Sequence, residues 1–140
     1  MLRELIICAA LSCGMAEAAS FELHVVKVCA PEDTPYVLAG STLEFCILPD
    51  KVIDESGIVK AERYPAIARV ILDMTPAAQE RLLAVTTENV GHDLAVLFNG
   101  KMIFKAAIDG PLKLEKIQLS LKDAPDAVDA LVDAFPGPKT

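Results

Sequence analysis

Hydrophobic and polar positions alternate most legibly over residues 75–108, TPAAQERLLAVTTENVGHDLAVLFNGKMIFKAAI. Ala78, Leu82, Val85, Thr86 and Val90 recur at helical spacing, which predicts a helix over 76–90. Thr75 offers a hydroxyl to an orphan amide of the first turn, and Pro76 takes the first helical position, where a missing N–H costs nothing. Glu80 suits the positive helix end, and Gly91 stands where a left-handed C-terminal residue is wanted. Two apolar runs then flank Asn99-Gly100, the pair that a two-residue hairpin turn with positive φ requires. Strict alternation in the second run would turn Met102, Phe104, Ala106 and Ile108 to the core and Lys101 and Lys105 to water.

The flanking segments read mostly as strands: 21–28, a short 36–38, 42–48, 66–74 and 115–121. Leu43, Phe45 and Ile47 share one face of the third of these, Glu44 and Cys46 the other. Residues 49–65 are the most polar part, with a turn or short helical segment at Asp54 to Gly57 and an undecided stretch after it. Val128, Leu131, Val132 and Phe135 predict a last helix over 125–135, capped by Asp123 or Asp126. This order predicts an α+β fold: a small antiparallel or mixed sheet with two helices packed on one face.

Composition changes the picture at the N-terminus. Arg3, an apolar stretch over 5–15 and Ala16-Glu17-Ala18 have the organisation of a secretory signal, so 1–18 is expected to be removed and 19–140 to form a single domain. The expected location is the periplasm. A lipoprotein acylated at Cys13 is the weaker alternative, because Ala10 stands where a leucine belongs. The net charge of −7 opposes binding to nucleic acid or anionic lipid, and no later apolar run reaches the length of a membrane span. Cys29 and Cys46 remain after cleavage, an even pair in an oxidising compartment. We expect them to form a disulfide worth about 3 kcal/mol on the chain-entropy account. The alternative is two buried free thiols, and no C-x-x-C spacing suggests redox chemistry.

Candidate chemistry is sparse. His24 and His92 are the only histidines and belong to no cluster with metal-ligand spacing. Asp50, Asp54 and Glu55 lack the regular spacing of a calcium loop and read as a solvated acidic segment. No nucleophile elbow, zinc-protease or phosphate-loop motif is present. The expectation is therefore a protein that is not an enzyme and needs no cofactor or metal.

Thr86 to Gly91, TTENVG, the preceding VILDMTPAAQERL and the LAVLFNGKMI hairpin together resemble the head subdomain of the first periplasmic domain of SecD, an accessory subunit of the bacterial Sec translocon. Thr86, Asn89 and Gly91 match a helix end of the form T-x-x-N-x-G, and Asn99-Gly100 matches the (D/N)-G hairpin turn. The similarity covers about residues 42–135. This chain departs from the family at Ala106, where a proline is usual, and at Leu119, where a glycine is frequent. The resemblance implies a free-standing relative of that head, with structural motifs and an affinity for extended or partly unfolded polypeptide. A polypeptide or protein partner is expected, with the Sec translocon as the implied context. The alternatives are an independent small-ligand-binding or inhibitor module on the same fold, and a hydrolase with no recognisable motif. An apolar groove beside a sheet edge would favour polypeptide binding, and a closed concave pocket would favour a small ligand.

Overall fold

A computed structural model describes residues 19–64 and 68–137. The expected signal segment 1–18, with Cys13, lies outside the described residues. In chain order the elements are β1 (Phe21–Lys27), β2 (Tyr36–Val37), β3 (Glu44–Ile47), β4 (Ile53–Asp54), a 3-10 turn (Glu55–Gly57), β5 (Ile58–Tyr64), β6 (Arg69–Met74), α1 (Pro76–Glu88), β7 (Asp93–Phe98), β8 (Lys101–Ala107), β9 (Lys116–Ser120) and α2 (Asp126–Ala134).

The fold is α+β, and its strands divide between two antiparallel sheets. The larger runs β2-β3-β1-β7-β8, with β4 also paired to β1, and the smaller runs β9-β6-β5. The larger sheet rolls up at one side. Leu38, just past β2, makes a parallel bridge to Met102 at the start of β8, and the Ala39 amide donates to the Met102 carbonyl at 3.0 Å. The rolled part encloses a small second core of Ala95, Leu97 and Met102, against which Val26, Tyr36, Leu38, Phe45 and Ile47 pack. A disulfide joins Cys46 of β3 to Cys29, just past β1, their Cα atoms 5.1 Å apart.

The main core fills the space between the sheets and both helices. It draws Phe21, Leu23 and Val25 from β1, Val70 and Leu72 from β6, Leu82 from α1, Leu94 and Val96 from β7, Leu119 from β9 and Leu131 from α2. Phe135, after α2, meets the Phe21 ring edge-on at 6.2 Å, a favoured aromatic geometry. The Phe135 carbonyl accepts from the Ala61 amide, which covers part of the outer edge of β5.

Helix α1 begins as the sequence reads, with Thr75 Oγ1 accepting from the Ala78 amide at 3.1 Å. It ends at Glu88, two residues short of the expected limit, because Asn89 leaves helical geometry and caps it. Val90 therefore lies beyond the helix and is exposed. Neither Asp123 nor Asp126 caps α2; Pro125 occupies the cap position and makes no side-chain bond. The β7–β8 hairpin has its turn at Asn99 (φ 52°) and Gly100 (φ 83°). Its second strand does not alternate strictly. The register slips between Val96 and Leu97, whose partners are Phe104 and Met102. The extra residue is a bulge that reverses the phase of the side chains. Met102 consequently enters the second core while Ile103 and Ile108 enter the main one. Lys105 is half-buried and bonded to Asp93 at 2.7 Å, with its ammonium 4.8 Å from the centre of the Phe45 ring.

Candidate functional site

Beyond the bridge at Met102, β8 has no strand on its outer side among the described residues. The amide of Ile108 donates to the His92 carbonyl, and the Ile108 carbonyl accepts from Gly91, so Ile108 turns its backbone groups toward the β7 side. Antiparallel alternation then turns those of Lys105 and Ala107 outward. Strand β9 is likewise the edge of its sheet. Its flanking residues Glu115 and Leu121 bond toward β6, through Met74 and Ala68, which leaves Lys116, Gln118 and Ser120 with outward backbone groups.

Between these two edges lies an apolar cavity of about 160 Å³. Phe104, Ala106 and Ala107 line it from β8, and Ile117, Gln118 and Leu119 from β9. Leu82 of α1 and Leu94 and Val96 of β7 also border it. Residues 109–115 pass across it without regular structure and contribute Leu112 and Leu114. On the other side of Leu114 a surface cleft of about 320 Å³ runs along α1, bordered by Pro76, Gln79, Glu80, Leu83 and Lys113. Unpaired strand edges beside an apolar recess can add an extended peptide as a further strand: backbone bonds hold it and alternate side chains enter the recess.

The sequence motifs meet this groove at one point. Thr86 is fully buried; its hydroxyl donates to the Leu82 carbonyl at 2.7 Å and accepts from the Leu112 amide at 2.9 Å. It thus ties the crossing segment to the helix. Asn89 Nδ2 donates to the Val85 carbonyl at 2.8 Å, and Gly91, at φ 95°, donates its amide to Ile108 where that segment begins. Asn99 and Gly100 lie at the far end of the hairpin, where Asn99 Oδ1 accepts from the Ser20 amide at 2.9 Å. The structure therefore sets Thr86 against the crossing segment and Gly91 at its start, and leaves Asn99-Gly100 at the far end of the hairpin.

A broader cleft of about 500 Å³ brings Cys29 near Asn89, Gly91 and His92, with Val28, Phe45 and Leu48 on its walls. At its border Lys27 pairs with Asp33 at 2.8 Å and Asp93 with Lys105. The Lys27 ammonium and the Ala30 amide hold the Asp33 carboxyl below its ordinary value of 3.8. Asp54 is also lowered, chiefly by its bond from Ser56, and caps the 3-10 turn. Glu55 accepts from the Phe21 amide at 3.2 Å. His24 is buried, and both ring nitrogens are engaged, one with the Leu48 carbonyl at 2.8 Å and one with Glu22 at 2.7 Å. It braces β1 against the connection between β3 and β4.

Leu112, Leu114 and the two strand edges were not legible as a site. One signal was present: the leucines at 112 and 114 fall out of phase with Ile117, Leu119 and Leu121, marking a second apolar segment before the strand.

No protein-family model matches the sequence, and neither does any curated protein. Among solved structures, two of SecDF are similar in fold. One is described as the structure and function of a membrane component SecDF that enhances protein export; the TM-score is 0.66 at 14% identity, covering 86% of this chain and 63% of that one. The other is SecDF in its super-membrane-facing form, with the same TM-score and identity, covering 86% of this chain and 19% of that one. The chain thus spans less than two thirds of either neighbour, and no described helix is long and apolar enough to cross a membrane. At this identity the comparison speaks to architecture, and on it the chain has a SecD-like fold.

Proposed function

We propose that the protein is a non-enzymatic polypeptide-binding module of the periplasm that takes an extended apolar segment between β8 and β9, in connection with Sec-dependent export. The observation that carries this reading is the apolar recess flanked on both sides by outward-facing strand edges. The export link rests on the fold shared with a protein described as enhancing export. A small-ligand or inhibitor role is the second reading: the recess of about 160 Å³ falls below the 300 Å³ or so at which drug-sized ligand pockets begin, whereas the cleft of about 500 Å³ beside Cys29 exceeds it.

A photoreactive residue placed at Ala107 or Gln118 should crosslink a labelled alternating Val/Ser octapeptide, with Val59 of β5 as the control. Adducts at the two groove positions and none at the control are expected. Equal labelling at all three positions would remove the groove from the reading. In cells, the same positions should capture exporting chains or translocon subunits; their absence alongside peptide labelling in vitro would leave peptide binding without the export link.

A further inference from the structure

The geometry points to a built-in plug: residues 109–115 occupy the groove with Leu112 and Leu114, and the hydroxyl of Thr86 is the catch that holds them there. This inference rests on the polypeptide-binding reading above and concerns how that site is regulated.

The segment is fixed at its two ends, at Ile108 by His92 and Gly91 and at Glu115 by Met74. Between these anchors it has no regular structure, and the Leu112 amide is its described bond to the body of the protein. Six residues span the interval from Asp109 to Leu114, with Gly110 free of any atom that would obstruct a side chain there. Leu112 is partly buried against the main core, whereas Leu114 is 39% exposed. Leu114 is also the wall shared by the apolar cavity and the cleft along α1. Turning it out would join the two into one trough open along both strand edges.

An extended peptide entering the groove competes with these two leucines for the same apolar lining. Its apparent affinity is reduced by the fraction of molecules in which the segment is open. That fraction is governed by a bond to a hydroxyl whose single proton is given to the Leu82 carbonyl, leaving its oxygen to accept from the Leu112 amide. Valine at position 86 has nearly the same shape but cannot accept, so the Leu112 amide loses its partner. The T-x-x-N-x-G helix end would then serve to set the groove's resting state as well as to terminate a helix.

The test compares the mature protein with Thr86→Val, Thr86→Ser and Leu114→Ala, using amide hydrogen exchange, the apolar dye anilinonaphthalene sulfonate and the labelled alternating octapeptide. Thr86→Val should speed exchange over 109–115 and tighten peptide binding about five- to tenfold, with a matching rise in dye fluorescence. Thr86→Ser should behave as the parent. Leu114→Ala should tighten both probes while leaving exchange at Leu112 unchanged. Faster exchange in Thr86→Val with unaltered dye and peptide binding would overturn the plug. A rise in dye binding without any peptide binding would keep the plug and sink the polypeptide reading instead. If Thr86→Val loosens α1 and β7 as a whole, Leu114→Ala decides, and parental binding of both probes by that variant would overturn the inference.

Discussion

The two ends of strand β8 are finished in opposite ways. At its start, Met102 is bridged to Leu38 and covered by a small core of its own. At its end, Lys105 and Ala107 turn unpaired backbone groups toward an apolar recess covered by an irregular segment with one described internal tether. The first end is closed by strand pairing and packing, and the second only by side chains that can leave. Local stability is unequal within a domain, and binding elements are drawn from its weaker part. The difference places rigidity where the sheet rolls and adaptability where its edge stays open.

The largest effect that can test this division is a cavity mutation on each side. Leu82→Ala removes a fully buried side chain that borders an existing void, so it should cost about 4 kcal/mol, near the upper end for such changes. Leu97→Ala, in the smaller enclosed core, should cost about 2 kcal/mol. Urea denaturation of both gives the order, and a reversed order would break the assignment of the main core to the groove side.

Next in size is the disulfide. Replacing Cys29 and Cys46 with alanine together should lower stability by about 3 kcal/mol. Hydrogen exchange should accelerate over 28–48 and stay unchanged over 109–115. If both segments accelerate alike, the rolled strands and the groove are one cooperative unit and the contrast fails.

Smaller effects sharpen the picture at single residues. Gly91 and Gly100 both hold positive φ with open space where a Cβ would stand. Alanine at either should therefore cost about 1 kcal/mol, through backbone conformation alone. Thermal melting checks this, and a markedly larger loss at Gly91 would mean that its bond to Ile108 also fails.

The smallest expected effect is electrostatic. Asp33 and Asp54 are both held below the ordinary carboxylate value of 3.8, so their stabilisation is complete above that value and is lost as pH falls through the lower folded values. Asp33→Asn should flatten the acid limb of a plot of melting temperature against pH. An acid limb unchanged in both Asp33→Asn and Asp54→Asn would show that neither carboxyl carries it.

Local patterns conveyed the fold class, the capped start of α1, the Asn-Gly turn and most of the strands. The undecided stretch after Gly57 is strand β5, and the reason it resisted reading is physical. A register shift between Ile58 and Lys60 separates its buried residues, Ile58 and Ala61, by an odd step. The same kind of irregularity in β8 moved Met102 to the opposite side from Ile108. Leu43 was expected to share one face of a strand over 42–48 with Phe45 and Ile47, yet it is 58% exposed, because β3 begins two residues later, at Glu44, and its partner strand is only two residues long. The groove was less legible than the fold. Its walls come from several elements spread between Leu23 and Leu119, and no local pattern records that two sheet edges will border one recess.

The sequence by itself determined what depends on neighbours along the chain: where α1 starts, where the hairpin turns, and that the motif Thr86, Asn89, Gly91 stands at a helix end. Hydrogen bonds of a few residues' reach and the φ preferences of glycine and asparagine decide these things. Tertiary structure alone decided that the strands form two sheets, that one of them rolls to make a second core, and that Thr86 reaches across 26 positions to hold Leu112. Each of these follows from side-chain volumes and backbone edges meeting in space, where bulges and packing override the alternation that the chain carries locally.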